Sequence, residues 1–312
     1  MTTADAPADA VDALPNGDHA EPRPVLLSAG EVLRGMLGTD LARLIAADPV
    51  ARVGEDTEGV HQARVATRRL RSSLATFRPI LTRDETTALL GDLRWLSRSL
   101  ATVRDLDVLR SRLADTLRTF DPLTRDQGMT VLARIDDDRR RGAEHLGDVL
   151  ASKRYRKLLA ALAETVARPP FRRSAGLPAE SFLLDTIRDR YVAVARAVDE
   201  LAAGPTDEAL HAVRILARPL RYVAEAGGAI LGAPCTRLGR RTAATCDLLG
   251  DLHDGARANE WLDGVEVERP HAFAVARLRA AEIGRMAEAR GAWRASWERV
   301  GLAAEALGVR GG

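Results

Sequence analysis

From Val25 onward, apolar residues recur three and four positions apart, the period of helices that bury one face, and nowhere is the two-residue alternation of a strand sustained. The pattern predicts an all-α fold. Helices are expected near 29–47, 57–78, 84–100, 104–119, 123–150 and 153–167, with breaks at Asp48-Pro49, Pro79 and Asp121-Pro122. The stretch RPPFRRSAGLP, opening at Arg168, reads as a linker over 168–177. Beyond it, helices are expected near 178–203, 206–226, 233–250, 253–263, 268–289 and 291–307. Long helices with short connections imply antiparallel bundles, a first helical half of about 25–167 and a second of about 178–308. Residues 1–24, rich in Ala, Asp and Pro and without periodicity, are expected to form a disordered tail.

One polar pattern repeats. VHQARVATRRLR at 60–71 returns 150 positions later as LHAVRILARPLR at 210–221. On a helix, His61, Arg64, Arg68 and Arg71 fall within roughly 80° of one another. Ala63, Ala66, Leu70, Leu74 and Phe77 occupy the adjoining arc, so burying them leaves the basic stripe at the margin of the core. The second copy places His211, Arg214, Arg218 and Arg221 alike. Gly204-Pro205 breaks the chain before it, Thr206 or Asp207 can cap it, and Pro219 is expected to kink it. A second repeat aligns LATVRDLDVL at 100–109 with LGDLHDGARA at 249–258, matching Arg104 to His253 and Asp105 to Asp254 in a short basic-acidic turn. Two such stripes suit a long, densely charged anion.

Composition makes local clustering the source of any anion affinity, because 46 basic and 44 acidic residues leave a formal charge of only +2. Lys153 and Lys157 are the only lysines, so arginine abundance alone says little; its repeated register says more. Guanidinium groups grip phosphate oxygens through a planar fork and stay charged. Cys235 and Cys246 share a predicted helix, are too far apart to pair, and have no metal-type spacing, which points to a reducing, cytoplasmic setting. No signal peptide or membrane span is indicated.

The histidines could donate to phosphate, bind a metal or be buried beside a satisfying neighbour. Metal ranks below anion contact, since the surrounding arginines oppose a cation. Asp105, Asp107, Asp251 and Asp254 could hold Mg²⁺ for a phosphohydrolase; the preferred reading is that they orient arginine forks. No nucleophile or metal-cluster motif is visible. Asp136, Asp137 and Asp138 beside Arg139, Arg140 and Arg141 read as a solvated helix face, and Trp293 and Trp297 as a staple of the last helix. Aromatics at 4% of the chain, none interleaved in the stripes, give base stacking little support.

At His61-x-x-Arg64-Val-x-x-Arg68-Arg69-Leu70-Arg71, Arg104-Asp105-x-Asp107 and Lys153-Arg154-Tyr155-Arg156, the chain resembles the conserved histidine α-helical domain family, CHAD. The match continues through His211-x-x-Arg214, Leu220-Arg221-Tyr222 and Leu249-Gly250-Asp251-Leu252-His253-Asp254, over nearly all of 25–308. The resemblance implies two helical bundles related by a pseudo-two-fold axis, a basic groove or pore between them, and binding of inorganic polyphosphate. It assigns the binding surface to His61, Arg64, Arg68, Arg71, His211, Arg214, Arg218 and Arg221. Arg69, Arg104, Lys153, Arg154, Arg156, Tyr222 and His253 are expected beside it. The Arg218-Pro219 pair departs from the family pattern. The expected function is a non-catalytic polyphosphate-binding module, without cofactor or metal, targeted to polyphosphate granules. The alternatives are a metal-dependent polyphosphate or triphosphate hydrolase and nucleic-acid binding through the same groove.

Overall fold

The computed structural model describes residues 27–310 except 55 and 267, so the tail expected at 1–24 lies outside the described residues. The described chain is built of helices: α1 Ala29–Val53, α2 Thr57–Thr76, α3 Arg83–Leu117, α4 Pro122–Ala151 and α5 Lys153–Ala167 precede the linker, and α6 Ala179–Asp199, α7 Asp207–Gly264 and α8 Arg269–Ala306 follow it. Short 3-10 turns occupy Arg78–Ile80 and Arg173–Gly176.

Local chemistry starts most of these helices. A capping box opens α1, where the Glu31 backbone N–H donates to Ser28 Oγ (3.2 Å) and the Ser28 N–H to Glu31 Oε2 (2.7 Å). Asp56, Asp121 and Ser152 accept from backbone N–H groups at the starts of α2, α4 and α5. Thr206 caps α7 by accepting from the Ala209 N–H at 3.3 Å.

Several expected breaks are absent. The segment holding Arg104, Asp105 and Asp107 is no turn; it lies inside the unbroken α3. Pro49 lies inside α1 and gives up one backbone bond, yet the helix runs on past it and stops at Gly54 in the left-handed region (φ 72°). Helix α7 passes through Pro219 and Gly250, and α8 through Gly291. In place of a kink at Pro219 the chain reverses at Gly232, in the gap expected between helices 206–226 and 233–250, and its φ of 73° and ψ of −158° suit glycine alone.

That one residue folds α7 back on itself. The Cys235 thiol reaches the Ala224 carbonyl at 3.2 Å, although eleven residues of straight helix would separate them by about 16 Å. Farther out, Gly250 lies against the Arg214 guanidinium and Gly239 against the backbone of Ala224 and Glu225. The arms 207–231 and 233–264 thus run antiparallel. Helices α2 and α3 form a comparable pair through the Arg78–Ile80 turn, with Arg64 opposite Asp105 and Arg71 opposite Ser97.

The apolar core does not divide at the linker. A large cluster combines α1, α2 and α5 with α6, most of α7 and the second part of α8. A smaller one joins Leu109, Leu113 and Leu117 of α3 and Val131 and Ile135 of α4 to Leu262 of α7 and Leu278 of α8. Both draw on both halves of the chain. Nor does 168–177 swing free, since Ala29 donates to the Leu177 carbonyl (2.9 Å), Thr82 to Pro170 (2.9 Å) and Arg172 to Ile80 (2.9 Å). Trp293 is buried and Trp297 stacks on Tyr191 with centroids 5.7 Å apart, so the last helix is stapled as expected. Both cysteines are buried free thiols. Among the described residues, no helix is long and apolar enough to cross a membrane.

Candidate functional site

Where α2, α3 and α7 meet, a cavity of about 640 Å³ opens beside the smaller apolar cluster, whose Leu109 and Ala258 help line it. The first stripe contributes His61, Arg64 and Arg68; α3 contributes Arg104 and Asp105; the first arm of α7 contributes His211, Arg214 and Arg218; its second arm contributes His253, Asp254 and Arg257. Six guanidinium groups therefore face two carboxylates.

The hairpin geometry explains this convergence. Residues equidistant from Gly232 face one another, so the turn brings the His211 and His253 rings into a stack with centroids 4.1 Å apart. Gly250 is the residue that lets α7's own arms close here: a Cβ on it would sit 3.1 Å from Arg214 Nη2.

Few of the cavity arginines are neutralised. Arg64 Nη2 donates to Asp105 Oδ1 at 3.3 Å, and Arg257 lies 4.0 Å from the same carboxylate. Among the described residues, Arg68, Arg104, Arg214 and Arg218 have no carboxylate at ion-pair distance. Arg68 Nε, Arg214 Nε and His211 Nδ1 are buried atoms without a hydrogen-bond partner. Such groups are costly to leave unsatisfied. Like charges at about 4 Å repel by about 4 kcal/mol at an effective dielectric of about 20, which an entering polyanion would offset.

Burial is the largest influence on the titrating groups. It lowers Arg68 and Arg218, with neighbouring arginines adding to the effect, though both stay cationic. Burial lowers His61 and His211 and takes His253 down to about 4, aided by His211, Arg214, Arg257 and Arg218. Burial raises Asp254 against the pull of Arg214 and Arg112.

Other expected site residues lie elsewhere. Arg69 pairs with Glu225 (3.3 Å) across a second hollow that also contains Tyr222, and Arg221 pairs with Glu225 (2.7 Å) and Asp247 (3.3 Å). Buried Tyr222 supports the cavity from beneath, its ring 5.4 Å from the Arg68 guanidinium carbon. Arg71 turns to Ser97 at 3.3 Å. At the start of α5, Arg154 grips Asp92 (2.7 Å) and covers the Trp95 ring, while Arg156 donates to the Ala151 carbonyl and Lys153 is exposed. These residues belong to helices or faces that the cavity does not reach.

The carboxylates also separate. Asp105 accepts from Arg64 inside the cavity. Asp107 is buried against Arg139 (2.5 Å), and Asp251 binds Arg112 (3.3 Å) outside the cavity. Arg139, expected to be solvated, is largely buried against Asp107 of α3, while Asp136 stays partly exposed and pairs with Arg110 of α3. No group of three or more His, Cys, Asp or Glu side chains among the described residues is arranged to hold a metal ion. The sequence reading missed Arg257 and Trp261, both of which line the cavity.

These features define an all-helical protein with an arginine-rich central cavity. The CHAD domain pattern matches residues 35–263, and the chain belongs to the CHAD family. Two uncharacterized proteins of Mycobacterium tuberculosis, from strains CDC 1551 and H37Rv, are each 31% identical over 257 residues, 80% of this chain and 47% of theirs. The chain thus spans about half the length of these curated relatives. Among solved structures, PptA from Streptomyces chartreusis superposes with a TM-score of 0.69 at 21% identity, covering 87% of this chain and 99% of PptA. The CHAD domain from the plant Ricinus communis superposes with a TM-score of 0.69 at 25% identity, covering 86% and 91%.

Proposed function

We propose that this protein binds inorganic polyphosphate in the central cavity without breaking it down. The observation that carries the reading is the excess of cation: six guanidinium groups against two carboxylates, four of those groups lacking an ion-pair partner among the described residues. Unsatisfied donors on Arg68, Arg214 and His211 suit an oxygen-rich ligand. The CHAD resemblance names polyphosphate as the polymer, and targeting to polyphosphate granules is the cellular role that follows.

Asp105 and Asp254 are the carboxylates a metal-dependent hydrolase would recruit, but Asp105 is committed to Arg64, and Asp254 lies under the positive field of Arg214 and Arg112. That field disfavours a cation and supports binding over catalysis. For nucleic acid, Trp261 is the one aromatic side chain lining the cavity, too little for successive base stacking.

Calorimetric titration with long-chain polyphosphate at two salt concentrations, against single-stranded RNA matched in phosphate and beside a phosphate-release assay, tests the reading. Tight, salt-sensitive binding of polyphosphate over RNA without turnover is expected. Arg214→Glu is expected to weaken it and to flatten the log–log salt slope by about 0.7 or more. Turnover, or equal affinity for RNA, would assign the cavity to another function.

A further inference from the structure

A second cationic hollow lies away from the cavity, where the end of α2, the start of α3, the linker and α6 meet. It has a volume of about 710 Å³ and is lined by Arg78, Arg83, Arg172 and Arg190, with Asp189 the one acidic residue on its wall. Among the described residues no carboxylate, Asp189 included, lies at ion-pair distance from any of the four arginines. Arg188 on the same α6, by contrast, pairs with Asp185 at 2.9 Å. What sets these four apart is that they line one hollow together with a single carboxylate on its wall.

The hollow is held in shape by backbone. The Arg172 N–H donates to the Ile80 carbonyl (2.9 Å) and the Thr82 N–H to Pro170 (2.9 Å), while Ser174 Oγ donates to the Pro79 carbonyl (3.3 Å). These bonds hold the arginine-rich linker against the turn that carries Arg78. An exposed, opportunistic cluster of arginines would have no such stitching.

The cavity and the hollow share α2: His61, Arg64 and Arg68 line the first, and the helix ends at Ala75 and Thr76 on the wall of the second. Arg64 and Thr76 are separated by about 18 Å along the helix. Arg71 stands between them on α2, its pKa lowered first by burial and then by its neighbours Arg94 and Arg64. A flexible polymer leaving the cavity along this helix passes one further cation before it reaches the hollow.

We propose that the Arg78–Arg83–Arg172–Arg190 hollow is a second subsite for the same polyphosphate chain, reached along α2 from the central cavity. The inference rests on the polyphosphate reading of that cavity. It makes the protein selective for length: a short oligophosphate fills one site, whereas a long chain engages both and gains from the high effective concentration of its own second segment.

The test titrates the full chain with tripolyphosphate and with long-chain polyphosphate over a range of salt. In the combined variant Arg78→Gln, Arg83→Gln, Arg172→Gln, Arg190→Gln, tripolyphosphate affinity is expected to stay within about twofold, while long-chain affinity falls at least about tenfold. The long-chain salt slope is expected to become shallower by about three, at about 0.7 per lost contact. Asp189→Asn is expected to tighten long-chain binding alone, a gain that misfolding cannot produce. Long-chain affinity and slope unchanged in the combined variant, or equal losses for both ligands, would overturn the subsite and leave the cavity reading intact. A wild-type protein that binds no polyphosphate overturns both.

Discussion

Three imidazoles share the cavity with six guanidinium groups, and burial first, then that company, holds their protonation down. His61 is faced by Arg64, Arg68, Arg104 and Glu58; His211 by Arg214, Arg218 and Asp254; His253 by His211, Arg214, Arg218 and Arg257. All three are held below the ordinary histidine range, so they are neutral in the empty cavity at pH 7. A bound polyanion reverses the field and raises them. Binding is therefore expected to take up protons and to tighten as pH falls from about 7 towards 5, which calorimetry in buffers of different ionisation enthalpy measures. Without ligand the sign is opposite: the unfolded chain binds more protons between the ordinary histidine value and about 4, so these groups lower the melting temperature as pH falls through that window. The raised Asp107 and Asp254 act the other way, favouring the folded state below their folded values. Of the cavity residues, those in repeated motifs were legible in the sequence because the same chemistry appears twice. Arg257 and Trp261 were not, since the 149-residue offset matches them to Val108 and Arg112 and nothing in the repeat marks them.

At the scale of elements, Gly232 has the largest consequence for the site, because its turn fixes which residues of α7's two arms face each other. Gly232→Ala meets no steric obstacle from neighbours, yet the new side chain must adopt a backbone conformation that costs about 1–3 kcal/mol. A fall in thermal stability with a loosened His211–His253 stack is expected, readable by calorimetry and by histidine NMR shifts. The periodicity made helices, their order and the linker legible. It misplaced breaks where local residues carry two readings: Gly250 resembles a terminator, but its missing side chain makes room for Arg214. Pro219 resembles a kink, yet the helix runs through it and reverses at Gly232, inside the gap expected between 226 and 233, where the sequence does not distinguish it from Gly227 and Gly228.

For the whole molecule, charge as well as apolar packing binds the two halves. Glu282 of α8 is fully buried and accepts from Arg112 Nε of α3 at 2.6 Å, with Arg285 on its other oxygen. Glu282→Ala would leave Arg112 with only the exposed Asp251 and Arg285 with only the Thr116 hydroxyl, and is expected to cost about 1–3 kcal/mol, seen as a lower denaturant midpoint, although no cavity residue is touched. This tie was illegible in the sequence, where Arg112 and Glu282 stand 170 residues apart without a motif. The repeat invites a picture of two domains side by side, but both apolar clusters are assembled from both copies. The repeat is thus not a seam along which the molecule parts. Neither copy can loosen without disturbing the other, so a polymer seated in the cavity would brace the entire chain, and its grip would register as resistance to unfolding far from any phosphate.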